Sequence, residues 1–197
     1  MAKTDDHEVV SIYPFTEEER GIFFTHATEC CLMWGTKDGW PVGVTTSFLW
    51  KDGKIWITFT AHRHRAAAIR RDNRVSVNIS SVSYNETAPI DAPTGAITLK
   101  GHGEFFEDDA TKAWFYPALA KKARPDDAAG EAFFNNLLDS PTRVILAIEP
   151  EKYIMYNSEL ARRHMAGTVS EDELGERLES DAVRMNQERA RRGLESR

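Results

Sequence analysis

The sequence predicts a mainly β protein: a small antiparallel barrel of six or so strands, with peripheral helices and a charged helical tail at the C-terminus. Three observations carry this. Short runs of apolar and polar residues alternate, as in Ile55, Ile57 and Phe59 against Trp56, Thr58 and Thr60, the period of a half-buried strand. Asp52-Gly53 separates two such runs, and Gly supplies the positive φ a tight hairpin needs. Helical patterns are confined to the two ends, to one short Ala-rich piece at 66–71 and to one insertion at 108–139.

Element by element, Thr16-Glu-Glu-Glu19 is a capping box opening a short helix that carries Ile22, Phe23 and His26. A strand is expected over 30–35, a turn at Thr36-Lys-Asp-Gly39, and strands over 42–50 and 54–60. An Ala-rich helix over 66–71 leads into a strand over 75–81. Residues 83–95 are rich in turn formers and read as a loop. The strand over 96–106 contains Lys100-Gly-His-Gly103, and glycines inside a strand mark a bulge or a close backbone approach. Two helices follow, broken near Lys121-Lys-Ala-Arg-Pro125, the second with Phe133, Phe134, Leu137 and Leu138 on one face. A final hairpin is expected over 143–149 and 152–157, turning at Pro150. A second capping box, Ser170 to Glu173, opens a helix expected to run through Arg192, with Leu174, Leu178, Ala182 and Met185 as a thin apolar stripe. The chain divides accordingly into a barrel domain, 1–157, and a tail, 158–197, that packs on the barrel or on a partner subunit.

With 197 residues and 41% hydrophobic content, one domain with a sizeable core is affordable. A net charge of −6 argues against a nucleic-acid surface. The polar start, Met1-Ala-Lys-Thr-Asp-Asp, shows no apolar signal segment, and no run reaches membrane-span length; a cytoplasmic location is expected. Cys30 and Cys31 are adjacent and read as buried thiols in a reducing compartment. No dinucleotide fingerprint, P-loop or nucleophile elbow is present.

One stretch carries chemistry. Thr60 is followed by His62-Arg-His-Arg65. A hydroxyl and two guanidiniums at a strand end suit a phosphate, because Arg offers a planar fork to its oxygens. Charge runs also occur as solvated loops, and His62-x-His64 is half a metal site without a third ligand. Thr45, Thr46 and Ser47 read either as a polar strand edge or as residues chosen for β propensity. The five tryptophans suit a planar-ligand pocket, an interface, or plain core.

The order Gly39-x-Pro41, Thr45 to Ser47, Asp52-Gly53, Thr60, Arg65 and Ile69-Arg-Arg-Asp-x-Arg-Val75 resembles the pyridoxamine 5'-phosphate oxidase-like superfamily over roughly residues 15–157. The resemblance implies an antiparallel split β-barrel that forms a homodimer, with a flavin at the interface and a small-molecule substrate. It implies cofactor contacts from Thr45, Thr46, Ser47, Phe59, Thr60, Arg63, His64 and Arg65, from Lys100, and from Tyr156 of the last strand, with Arg70 and Arg71 as a second cationic layer. The implied cofactor is FMN, with the deazaflavin F420 as the alternative, and the implied activity is hydride transfer. A non-catalytic flavin- or haem-binding dimer remains a different class of reading. Arg65 departs from the family's more usual Lys.

Overall fold

In this computed structural model, which describes residues 11–195, the polar start at 1–10 lies outside the described residues. The first capping box forms as expected. Thr16 Oγ1 accepts from the Glu19 N–H at 3.1 Å, and the Glu19 carboxylate accepts from the Thr16 N–H at 2.7 Å. Two otherwise orphaned donors are thus satisfied at the start of α1 (Glu17–His26).

Seven strands follow the helix: β1 (Glu29–Gly35), β2 (Pro41–Ser47), β3 (Leu49–Lys51), β4 (Lys54–Thr60), β5 (Arg74–Ser80), β6 (Gly95–Phe106) and β7 (Arg143–Asn157). They form one antiparallel sheet in the order β2-β1-β5-β6-β7-β4-β3. The helices are α2 (His64–Arg71), α3 (Asp109–Ala123), α4 (Ala128–Leu138), α5 (Ser158–Met165) and α6 (Glu179–Arg191).

The run expected as one strand over 42–50 is two strands at opposite edges of the sheet, joined at the fully buried Phe48. The sheet therefore curls until its edges meet at one residue. The β3–β4 hairpin pairs Leu49 with Trp56 and Lys51 with Lys54 across Asp52-Gly53, both at positive φ (53° and 74°). Continued past Phe48, that register would set Thr45 opposite Thr60. Instead β2 pairs with β1 along its length, from Glu29–Ser47 to Gly35–Pro41. Beyond Phe48 the two edges do not pair with each other and open as a wedge, leaving the backbone groups on the outer side of 41–47 and 57–60 outside the ladder.

The expected turn at Pro150 is not a turn. β7 runs straight through it, with Pro150 opposite Gly101 and Glu151 as the extra residue of a bulge between the Lys100–Lys152 and Gly101–Pro150 pairs. The bulge breaks the regular ladder beside Pro150, a residue that cannot donate to it. A Cβ on Gly101 would fall 2.1 Å from the Glu149 carbonyl oxygen, so this close approach requires glycine.

Two cores result. Leu32, Phe48, Ile57, Ile79, Leu99 and Leu146 fill the barrel interior. On the outer face of β4 and β7, Trp56, Ile145 and Ala147 pack against Phe115, Tyr116 and Leu119 of α3 and Leu138 of α4. That second layer explains why β4 is buried on both faces although its sequence alternates. It also leaves Phe133 and Leu137 outward, 73% and 54% exposed, because the sheet takes only one side of α4.

The C-terminal helix expected from Ser170 is interrupted. The capping box holds one turn, Glu171–Glu173, the Gly175 N–H then donates to the Ile12 carbonyl at 2.8 Å, and α6 starts later with no buried side chain. An earlier helix, α5, not expected from the sequence, is capped by Asn157 and docks through Leu160 and Ala161. Cys30 is buried and Cys31 half-buried, both as free thiols.

Candidate functional site

β4 ends at Thr60, and α2 starts at His64 with Arg63 as its N-cap. The turn between them is pinned: the Ala61 N–H donates to the Thr142 carbonyl at 2.7 Å, and the Arg63 N–H donates to the Thr60 carbonyl at 3.1 Å. In the ladder Thr60 stands opposite Arg143, so those two side chains leave the sheet on the same face. No side chain caps α2, and its positive end stands at the same corner.

The guanidinium of Arg65 lies over the Phe59 ring, 4.8 Å from the centroid. Burial pushes its pKa down, and the neighbouring charges of Arg63 and Arg143 push the same way. Burial depresses Arg143 as well. Among the described residues, no side-chain hydrogen bond or ion pair satisfies Arg63, Arg65 or Arg143. Thr60 Oγ1, Arg65 Nε and Arg143 Nε are buried without a partner, and Tyr116 of α3 feels the Arg143 charge. Buried donors without acceptors are rare and costly in proteins. An anion at this corner would satisfy them.

The structure thus brings Phe59, Thr60, Arg65 and Arg143 close to one another at the end of β4, with Arg63 and His64 exposed at the start of α2 beside them. Thr45, Thr46 and Ser47 lie on the other arm of the wedge, Thr45 exposed and the other two half-buried. It does not bring Lys100 or Tyr156 there within one chain. Lys100 pairs across from Lys152 at the bulge. Tyr156 sits at the far end of β7, roughly 40 Å of strand from Arg143, edge-on to Tyr13 at 5.9 Å. The second cationic layer is engaged elsewhere: Arg70 pairs with Glu107, and Arg71 donates to the Gly35 carbonyl at 3.1 Å. His102 is held by Asn73 and Glu151, each at 3.1 Å. Arg143 is invisible as a site residue in the sequence, since only the β4–β7 register carries it to Thr60.

The family model described as pyridoxamine 5'-phosphate oxidase matches residues 18–157. The chain belongs to this family. The match spans α1 to β7 and so includes both arms of the wedge and the arginine corner. No curated protein matches the sequence. Among solved structures, a conserved hypothetical protein from Mycobacterium tuberculosis superposes with a TM-score of 0.60 at 18% identity, covering 79% of this chain and 90% of that one. An F420 reductase gives 0.50 at 19% identity, covering 71% and 97%. A haem storage protein from Vibrio cholerae gives 0.54 at 14% identity, covering 71% and 93%. Neighbours this distant, with such different names, establish the shared fold. Within the family frame, the ligand must be argued from this chain's own corner. Among the described residues, no helix is long and apolar enough to cross a membrane, and no three His, Cys, Asp or Glu side chains gather to hold a metal.

Proposed function

We propose that this chain is a flavin-dependent oxidoreductase that works as a homodimer and takes FMN as its cofactor. One observation carries the reading: the partly desolvated Arg65 and Arg143 guanidiniums and the Thr60 hydroxyl each hold a buried polar atom with no partner among the described residues, and the charge of the exposed Arg63 stands beside Arg65. A phosphate monoester supplies the missing acceptors and two negative charges, and Arg meets such oxygens with two parallel bonds. Thr60, Arg63, Arg65 and Arg143 would hold that phosphate, and Phe59 keeps Arg65 from swinging away. The unpaired edge at Thr45 to Ser47 offers backbone donors and acceptors along the opposite arm. A bound flavin supplies hydride transfer between a reduced donor, such as a nicotinamide, and a small acceptor. The chain's own part is to bind, orient and exclude water, and no side chain need act as nucleophile. In a dimer, Lys100 and Tyr156 would reach the site from the second copy.

The deazaflavin F420 is the second reading. The corner offers three guanidiniums, one more than a phosphate dianion needs, and a structural neighbour is named an F420 reductase. Titration of the purified protein with FMN, riboflavin and F420, followed by fluorescence, separates the readings. FMN binding at least tenfold tighter than riboflavin is expected. Equal affinity for the two would remove the phosphate corner, and binding of F420 alone would select the deazaflavin.

A further inference from the structure

α6 borders a cleft without burying a side chain in it. The residues it and its N-cap lend to the lining, Leu178, Asp181, Ala182, Met185, Asn186 and Arg189, recur at the spacing of a single helical face. Leu178, Ala182 and Met185 give that face an apolar centre, yet Met185 is 60% exposed. The other wall is made by Ile12, Tyr13, Tyr156 and His164. The space between them is about 960 Å³, within the size range of small-molecule sites. Both walls are anchored. The Gly175 N–H, just before α6, donates to the Ile12 carbonyl at 2.8 Å. Tyr13 meets the Tyr156 ring edge-on at 5.9 Å and shares a hydrogen bond with His164 Nδ1 at 3.0 Å. Two apolar walls held apart keep surface in water that a ligand would cover.

The lining carries charge, but in pairs. Arg177 meets Glu171 at 3.8 Å, Asp181 accepts from Arg184 at 2.7 Å, and Arg189 donates to the Glu195 carbonyl at 2.5 Å. Glu176 is engaged as well. No lining charge is left to call for a counter-ion, which selects a neutral occupant. The Tyr13–His164 pair selects its polar group. Where the Tyr13 hydroxyl donates to Nδ1, the ring proton on Nε2 is spare; where Nδ1–H donates, the hydroxyl hydrogen is spare. Either tautomer leaves one donor, and neither side chain has a further hydrogen-bond partner among the described residues. We propose that this cleft binds a small, neutral, aromatic molecule bearing a carbonyl oxygen. Its ring lies between the Tyr13–Tyr156 wall and the apolar stripe of α6, where the flexible thioether of Met185 adapts to a flat face. Its oxygen accepts from the spare donor of the Tyr13–His164 pair. The site is built within one chain, apart from the arginine corner, and does not rest on the flavin reading.

Coumarin, a planar and uncharged bicycle with one carbonyl, is the probe, and coumarin-3-carboxylate, an anion at neutral pH, is its comparison. Equilibrium dialysis against the full chain measures both. The test variant, Leu178→Ser with Met185→Ser, strips two apolar side chains from the cleft. It also places a hydroxyl at the N-cap of α6, which has no side-chain cap, so the helix is retained. Coumarin is expected to bind the wild type about tenfold tighter than the variant, the effect of losing part of two apolar contacts. It should also bind the wild type more tightly than the carboxylate does. Absence of coumarin binding, equal affinity in the variant, or a carboxylate that binds as tightly would each overturn the proposal. So would a clear fall in the melting temperature of the ligand-free variant, because the stripe would then be packed on the opposite wall and the cleft closed.

Discussion

Arg65 and Arg143 spend hydration on a contact that no described residue completes. A desolvated guanidinium facing two others is a cost to the fold, and the proposed anion would recover it on binding. The two effects therefore move in opposite directions on mutation. Arg65→Met, which keeps an apolar stem over Phe59, is expected to raise the melting temperature of the cofactor-free protein. It should also weaken FMN binding by about 1.5–3 kcal/mol while leaving riboflavin binding unchanged. Parallel melting and fluorescence titrations check both signs, and a variant that loses stability and affinity for both flavins alike would mark Arg65 as purely structural. Lys122 of α3, its Nζ 4.0 Å from the Phe48 ring centroid, carries a second cost that pH reveals. Its folded pKa, about 7, lies below its ordinary 10.5, so between those values the unfolded chain holds more protons and stability rises with pH. Below about pH 7 the full penalty of the buried charge is present. Relative to Lys122→Met, the wild type should gain on the order of 2 kcal/mol between pH 6.5 and 9.5, read from urea midpoints. A flat difference would show that Lys122 keeps its charge.

At the scale of elements, the fold rests on two departures from regular strand pairing. At Phe48 one run of chain changes edges, and at Glu151 an extra residue lets β7 pass through Pro150 without ending. The second departure depends on Gly101, where an added Cβ would collide with the Glu149 carbonyl. Gly101→Ala is expected to cost about 3 kcal/mol or more, a magnitude reserved for backbone clashes and core defects, whereas Gly53→Val in the hairpin turn should cost about 1–2 kcal/mol for its left-handed φ. Denaturant midpoints of the two variants give the comparison, and an Ala at 101 tolerated within 1 kcal/mol would mean the bulge shifts freely. The local elements were legible. Thr16 and Glu19, the Asp52-Gly53 turn, and the break between α3 and α4 follow from capping and turn chemistry that acts within a few residues. The hairpin expected at Pro150 and the long helix expected from Ser170 failed for one reason. Proline and a capping box state what a short segment prefers, while the partner strand and the Ile12 carbonyl decide what it does.

For the whole molecule, the proposed site, with Tyr156 as one of its contacts, requires assembly. Arg143 and Tyr156 stand at opposite ends of one strand, so a cofactor touching both must lie between two chains. The proposed homodimer predicts sedimentation at twice the 22.3 kDa chain mass at micromolar concentration, with FMN shifting any monomer towards it. A flavin-loaded monomer would leave Lys100 and Tyr156 without a role at the cofactor. Removing residues 176–197 should leave both the melting temperature and flavin binding nearly unchanged, because α6 buries no side chain, whereas removal from residue 158 onward should destabilise the barrel through loss of Leu160 and Ala161.

Composition, alternation and local caps were enough to determine a mainly antiparallel sheet with helices outside it, while Thr60, Arg63 and Arg65 read either as an anion corner or as a solvated basic loop, and only the family resemblance favoured the corner. Those features depend on neighbours in sequence. Only the tertiary structure decided that the edges part at Phe48, that Arg143 completes the corner while Arg70 turns to Glu107, and that Lys122 is trapped against an aromatic ring. Each of these follows from which distant strand or helix lies alongside, and register between remote segments is fixed by burial of the whole core rather than by any local preference.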